Sequence, residues 1–365
     1  MKQIFFALSP KKRAFLTGTL LLTGTGFLCR ILGFFYRIFM SRTIGAEGLG
    51  IYNMVHPVFG ICFALCAGSI QTALSQYVAS NQKKGRAVFR TGLFISLTLS
   101  LLLALFICNT SPFIARYLLL EPRCEPYLMI MALSVPFAAL HACINGYYYG
   151  MQKSHVPAFS QVAEQVIRMG AVFGIVQILQ QNGREITVSL AVYGHLIGEM
   201  ASAAFTFTCL ILFPPARKKT IPSEAVHAAN PTVLHTANPK TPRTAQPEAL
   251  HKALPNTAHT VHPPHYALPL LALTLPLMGN RLVLNLLASA EAIWIPNRLT
   301  AYGLSSSDAF SIYGVLTGMA LPAGVKKVNK VFYIMKFFIF SHVTIFYFQL
   351  SIPMFYANTI LQLFT

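Results

Sequence analysis

The stretch Arg30-Ile-Leu-Gly-Phe-Phe-Tyr-Arg37, followed by Arg42-Thr-Ile-Gly-Ala-Glu47-Gly-Leu-Gly50, decides how this chain folds. It lies in the first long apolar run. An ionised guanidinium in hydrocarbon costs at least about 2.5–3.5 kcal/mol. Gly26, Arg30, Gly33 and Arg37 step by four, three and four, so on a helix they share one face. The other faces are Leu, Ile and Phe. The pattern predicts a transmembrane helix with one polar face turned to a bundle interior or a wet cavity. The plain alternative is a pair of structural arginines that snorkel or meet a carboxylate.

Composition agrees with a membrane location. Charged residues are 10% of the chain, against about 25% in ordinary soluble domains. The mean hydropathy is +0.56. The formal charge of +18 does not indicate nucleic-acid binding, because the basic residues lie between apolar segments and form no basic face. The seven cysteines mostly sit within apolar runs and read as packing residues. No Cys/His spacing resembles a metal site, and no motif calls for a cofactor. The N-terminal run is too long for a cleaved signal and has no small-x-small site.

A membrane-spanning helix needs roughly 20 mostly apolar residues. Candidates fall near 15–40, 51–79, 88–115, 127–149, 157–180, 187–213, 266–295 and 308–324, with a ninth apolar run at 331–363. With the N-terminus inside, eighteen Lys and Arg fall in cytoplasmic segments and five outside. That bias predicts a cytoplasmic N-terminus. Tyr147-Tyr148-Tyr149 is placed by the same reading in an interfacial belt.

Residues 214–265 carry an eight-residue repeat. His227, His235, Arg243, His251 and His259 are each followed four positions later by proline. Such a tract cannot bury enough apolar surface to fold, so it is expected to be a disordered cytoplasmic tether. It divides a six-helix lobe, 1–213, from the start of a second lobe, 266–324, and an apolar tail, 325–365. A faint internal echo supports two lobes. Arg42 precedes a segment ending Ile51-Tyr52, and Arg298 precedes one ending Ile312-Tyr313.

These blocks, with Tyr52–Gly60, Phe159–Arg168 and Asn280–Pro322, resemble the stage V sporulation protein B family. That family lies in the polysaccharide and oligosaccharidyl-lipid flippase superfamily, related to lipid II flippases and to multidrug and toxin extrusion transporters. The resemblance implies an all-α, polytopic, two-lobed bundle in the bacterial cytoplasmic membrane, about eight or nine spans being present here. It implies a transporter, not an enzyme, that moves a polyprenyl-pyrophosphate-linked saccharide, with cell-wall synthesis enzymes as partners and spore-cortex peptidoglycan as the end use. After Pro322 the sequence departs from the family, so a truncated and inactive product is one expectation. A multidrug or cation exporter is another.

A pyrophosphate headgroup needs a hydrated, cationic passage, and arginine offers a permanent charge with a planar fork of donors. Arg30, Arg37 and Arg281 are the cavity candidates, with Asn280, Asn285 and Gln71 as polar neighbours. Arg42 and Arg298 are placed near the outer ends of their spans, for gating or release; interfacial anchoring is the alternative. Glu47 is expected to cap the helix after the glycine-rich turn. Glu164, Glu199 and Glu291 are candidates for ion coupling, or for neutralising arginines. Glu164 and Arg168 stand at i, i+4 and are expected to pair.

Overall fold

The computed structural model describes residues 10–215 and 266–317. The histidine–proline repeat, the expected ninth span and the end of the expected eighth, from residue 318, lie outside the described residues.

Among the described residues, every regular element is helical. They are α1 (Pro10–Phe63), α2 (Ser69–Ser80), α3 (Gly85–Phe113), α4 (Glu125–Gly150), α5 (His155–Gln181), α6 (Ser189–Leu212), α7 (Ala267–Ala301) and α8 (Ser306–Val315). A π-helical turn, Ala64–Gly68, joins α1 to α2, and a second, Ile114–Leu118, ends α3. Among the described residues, six stretches are long and apolar enough to cross a membrane. The first, Leu16–Ser80, has 65 residues. Straight, it would be roughly three times the thickness of the hydrocarbon core.

Gly45 resolves that length. Its φ of 77° and ψ of 169° break α1, a conformation open to glycine because it lacks Cβ. Before the break, Gly18 lies against Ser154 and Tyr36 reaches Val172, so this half runs beside α5 in the same direction. After it, Leu49 and Tyr52 pack into the cluster that already holds Tyr36, Met40, Val172 and Val176. The chain has turned back, and one long helix supplies two crossings.

Packing follows membrane rules. On α3, Gly92, Ser96, Ser100, Ala104 and Ser111 are buried, while Leu101, Leu102, Leu105 and Phe106 are exposed. Small residues allow close helix approach, and large apolar ones meet lipid. Buried hydroxyls find backbone acceptors, as in Ser96 to Cys66 O and Ser100 to Leu97 O. The tyrosine run is held by contacts within the bundle. Tyr147 and Tyr148 are buried; Tyr147 stacks on Phe89 at 4.8 Å, and the Tyr148 hydroxyl donates to Phe213 O at 3.0 Å.

The segments of the internal echo touch each other. A Cβ on Gly50 would collide with the carbonyl of Phe310, and one on Gly314 with the carbonyl of Ala46. The post-break half of α1 therefore crosses α8 at backbone contact.

Candidate functional site

Three groups of polar residues interrupt this apolar bundle. The first holds Arg281. On α7, Asn285 Nδ2 donates to Arg281 O at 2.8 Å, and the Ser289 hydroxyl donates to Asn285 O at 2.9 Å. The Arg281 guanidinium crosses to α2, where Nη2 donates to Thr72 Oγ1 at 3.2 Å. Its Nη1 would be 2.7 Å from a Cβ on Gly68, and Asn285 Oδ1 occupies the space a Cβ on Gly60 would take. The missing side chains at Gly60 and Gly68 thus form the seat for the α7 polar stripe. Arg281 is half-buried, and its side chain meets a neutral hydroxyl with no carboxylate bridge among the described residues. Gln71 and Asn280, both half-buried, flank this seat in sequence.

Arg30 and Arg37 are exposed, and Gly26 and Gly33 on the same stripe have open space where a Cβ would stand. Among the described residues, nothing covers this face at its glycines. Arg37 also lies close enough to Tyr52 and His56 to act on them electrostatically. Arg42 is exposed, and Arg298 covers the Trp294 ring with its guanidinium 5.2 Å from the centroid.

The second group is at the Gly45 end. Glu47 Oε1 receives Arg123 Nη1 at 2.7 Å, and Oε2 receives the Ser307 hydroxyl at 2.7 Å. Arg123 also donates through Nε to Glu121 at 2.7 Å and lies over the Phe310 ring. Glu47 thus joins the α3–α4 connection to α8, instead of serving its own helix as the cap the sequence suggests. The hydrogen bond from Arg123, then that from Ser307, holds the Glu47 carboxyl below its ordinary range.

The third group is buried among α4, α5 and α6. Glu164 and Arg168 pair within α5. His141 Nε2 and Glu199 Oε2 are 2.8 Å apart. His195 Nε2 lies 3.9 Å from Glu199 Oε1. Sequence reasoning supplied both carboxylates but missed both histidines. His195 is four residues before Glu199, so that proximity was readable; His141 is 58 residues away and is joined only by the fold. Donor atoms of His141, Glu164 and Glu199 lie within 4.8 Å of one another. A metal dication there would meet the Arg168 guanidinium, which already occupies Glu164. Glu291 is buried on α7 and has a partner of its own.

Residues 15–228 match a family model described as polysaccharide biosynthesis protein. The chain belongs to that family. It is 28% identical over 320 residues to the stage V sporulation protein B of Bacillus subtilis (strain 168), an alignment covering 85% of this chain and 54% of that one. It is 25% identical over 200 residues to the lipid II flippase MurJ of the same organism, covering 50% and 37% respectively. The chain thus spans about half the length, or less, of these curated relatives. A solved MOP superfamily transporter from Pyrococcus furiosus superposes with a TM-score of 0.51 at 13% identity, over 86% of this chain and 64% of that one. This polysaccharide biosynthesis family member is accordingly an all-α, multi-pass membrane protein with a transporter-type fold.

Proposed function

We propose that this chain moves a lipid-linked, pyrophosphate-bearing saccharide across the cytoplasmic membrane, as part of cell-wall precursor supply during sporulation. The observation that carries the reading is Arg281. A half-buried guanidinium held only by a neutral hydroxyl is a site that favours an anion, since a charge removed from water is costly without a counter-charge. Arg30 and Arg37 extend positive charge along a face that none of the described residues covers at its glycines. Asn280, Asn285 and Gln71 supply neutral donors and acceptors suited to sugar hydroxyls. In this reading the polyprenyl tail stays in lipid while the headgroup passes along the arginines. The N-terminus and the linker lie in the cytoplasm, and the peptidoglycan synthesis enzymes take the product on the far side. A cation exporter would call for a passage dominated by carboxylates, which the exposed arginine stripe opposes.

The test is flipping of a fluorescent polyprenyl-pyrophosphate-linked disaccharide by the full chain in proteoliposomes. A charge-assisted hydrogen bond contributes about 1.5–3 kcal/mol, so Arg281→Ala and Arg30→Ala are expected to slow flipping roughly tenfold or more. Unchanged rates in both would overturn the cationic-passage reading. Export of a lipophilic cation by the wild-type chain, with no flipping, would favour a drug exporter. Impermeant thiol labelling of Ser223→Cys in sealed cells checks orientation; labelling from outside contradicts it.

A further inference from the structure

The buried cluster of α4, α5 and α6 has a charge imbalance that the arginine passage does not use. Glu164 and Glu199 bring two negative charges and Arg168 one positive. With neutral imidazoles, the cluster is left with a single unmatched negative charge inside the bundle. His141 and Glu199 are in hydrogen-bond contact. His195, only 3% exposed, has no hydrogen-bond partner at either ring nitrogen among the described residues. It stands edge-on to Phe59 at 4.5 Å and near His56 at 5.7 Å.

We infer that His141, Glu199 and His195 form a site for one proton, in which the Glu199 carboxylate is the movable element between two imidazoles. Uptake forms an N–H bond on His141 and brings the cluster to neutrality; release returns that proton to water and restores the negative charge. With the proton present, Glu199 holds His141 across the 2.8 Å contact. With it absent, the carboxylate can turn to accept the Nε2–H of a neutral His195, 3.9 Å away at present. No other bond is made or broken.

The groups facing this site fit a monovalent guest. From α5 come Glu164 and Arg168, already paired. From α1, Tyr36 and Tyr52 lie within electrostatic reach of Arg168, and His56 approaches His195. Cys29 and Arg37 stand farther out on α1, and α4 adds the neutral Asn145. Because α1, α4, α5 and α6 all meet here, a change in the partner of Glu199 alters packing between elements. That is what coupling transport to a proton gradient requires.

The inference rests on the transporter reading, and its test is independent of any lipid substrate. Purified full-length chain with isotope-labelled histidine is titrated between about pH 5 and 8, the range in which imidazole ordinarily changes charge. Imidazole signals are followed by NMR and carboxylate bands by infrared difference spectroscopy. One imidazole transition accompanied by a carboxylate band change is expected. It is lost in His141→Gln, altered in Glu199→Gln and retained in His155→Gln. Survival of the transition in the first two variants overturns the site, as does its displacement by sodium or a divalent ion at constant pH. If those variants do not fold, the wild-type spectrum still decides, because an imidazole and a carboxylate that respond independently also overturn it. Intact protonation without flipping sinks the flippase reading alone; flipping without this protonation sinks the proton site alone.

Discussion

Glu47 accepts a hydrogen bond from Ser307, 260 residues away in sequence, while its other oxygen accepts one from Arg123. One carboxylate therefore ties the N-terminal helices to α8 at the Gly45 end of the bundle. Beside it, Gly50 and Gly314 bring the same two elements to backbone contact. Under the proposed transport, rocking of the halves would have to separate these contacts to open this end.

Removing the tie is expected to favour the open arrangement. In Glu47→Ala, spin labels placed on the α3–α4 connection and on the start of α8 should show a larger population of long distances. The cost to melting stability should be small, within about 1 kcal/mol, because the pair is partly exposed. An unchanged distance distribution would show that Glu47 does not hold this end.

Acidification should act on the same contact. Arg123 first, and Ser307 second, lower the Glu47 carboxyl from its ordinary value. A lowered group stabilises the closed contact fully above its ordinary value, about 4.3 for glutamate, and loses that contribution as pH falls through the lowered one. The long-distance population should therefore rise only below about pH 4 and stay flat near neutrality. Glu47→Gln should abolish this response.

Bulk at the crossing should act in the opposite place. Gly314→Ala puts a methyl group against the Ala46 carbonyl. Such overpacking costs about 1–3 kcal/mol, and the expected result is a lower melting temperature with loss of the closed arrangement. Gly33→Ala, where none of the described residues lies near the added carbon, should not lower the melting temperature, since alanine favours a helix more than glycine does.

The α5 ion pair should show strong non-additivity. Removing one partner of a buried pair typically costs 3–5 kcal/mol. Glu164→Leu and Arg168→Met are each expected to lower stability by about that much, and the double substitution by clearly less than the sum. Additive losses in a double-mutant cycle would mean that the two side chains do not depend on each other.

Local information was legible in the sequence. The four-three-four spacing of Gly26, Arg30, Gly33 and Arg37 revealed the open face, and the i, i+4 spacing of Glu164 and Arg168 revealed their pair. The glycine-rich turn showed where the first helix breaks. What escaped were contacts that only folding creates. Glu47 looked like a helix cap because its partners lie on two distant elements. The contacts of the tyrosine run escaped because its own segment says nothing of Phe89 or Phe213. Glu199 was found for its charge, but its partner His141 sits on another helix with no pattern linking the two.

The five-residue π turn at Ala64–Gly68 sets the rotational phase of the helix against α7. Gly60 and Gly68 are eight residues apart; in an uninterrupted α-helix they would stand about 80° apart around the axis. A π turn absorbs one residue, which brings them back to within about 20° of each other. Both glycines can then receive Asn285 and Arg281 from one side. The seat of Arg281 is thus encoded in an insertion-like step, and the length of this segment matters more than its composition. Deleting one residue here would straighten the helix and leave the two glycines in phase, whereas adding one would swing Gly68 and Thr72 away from the arginine they now hold.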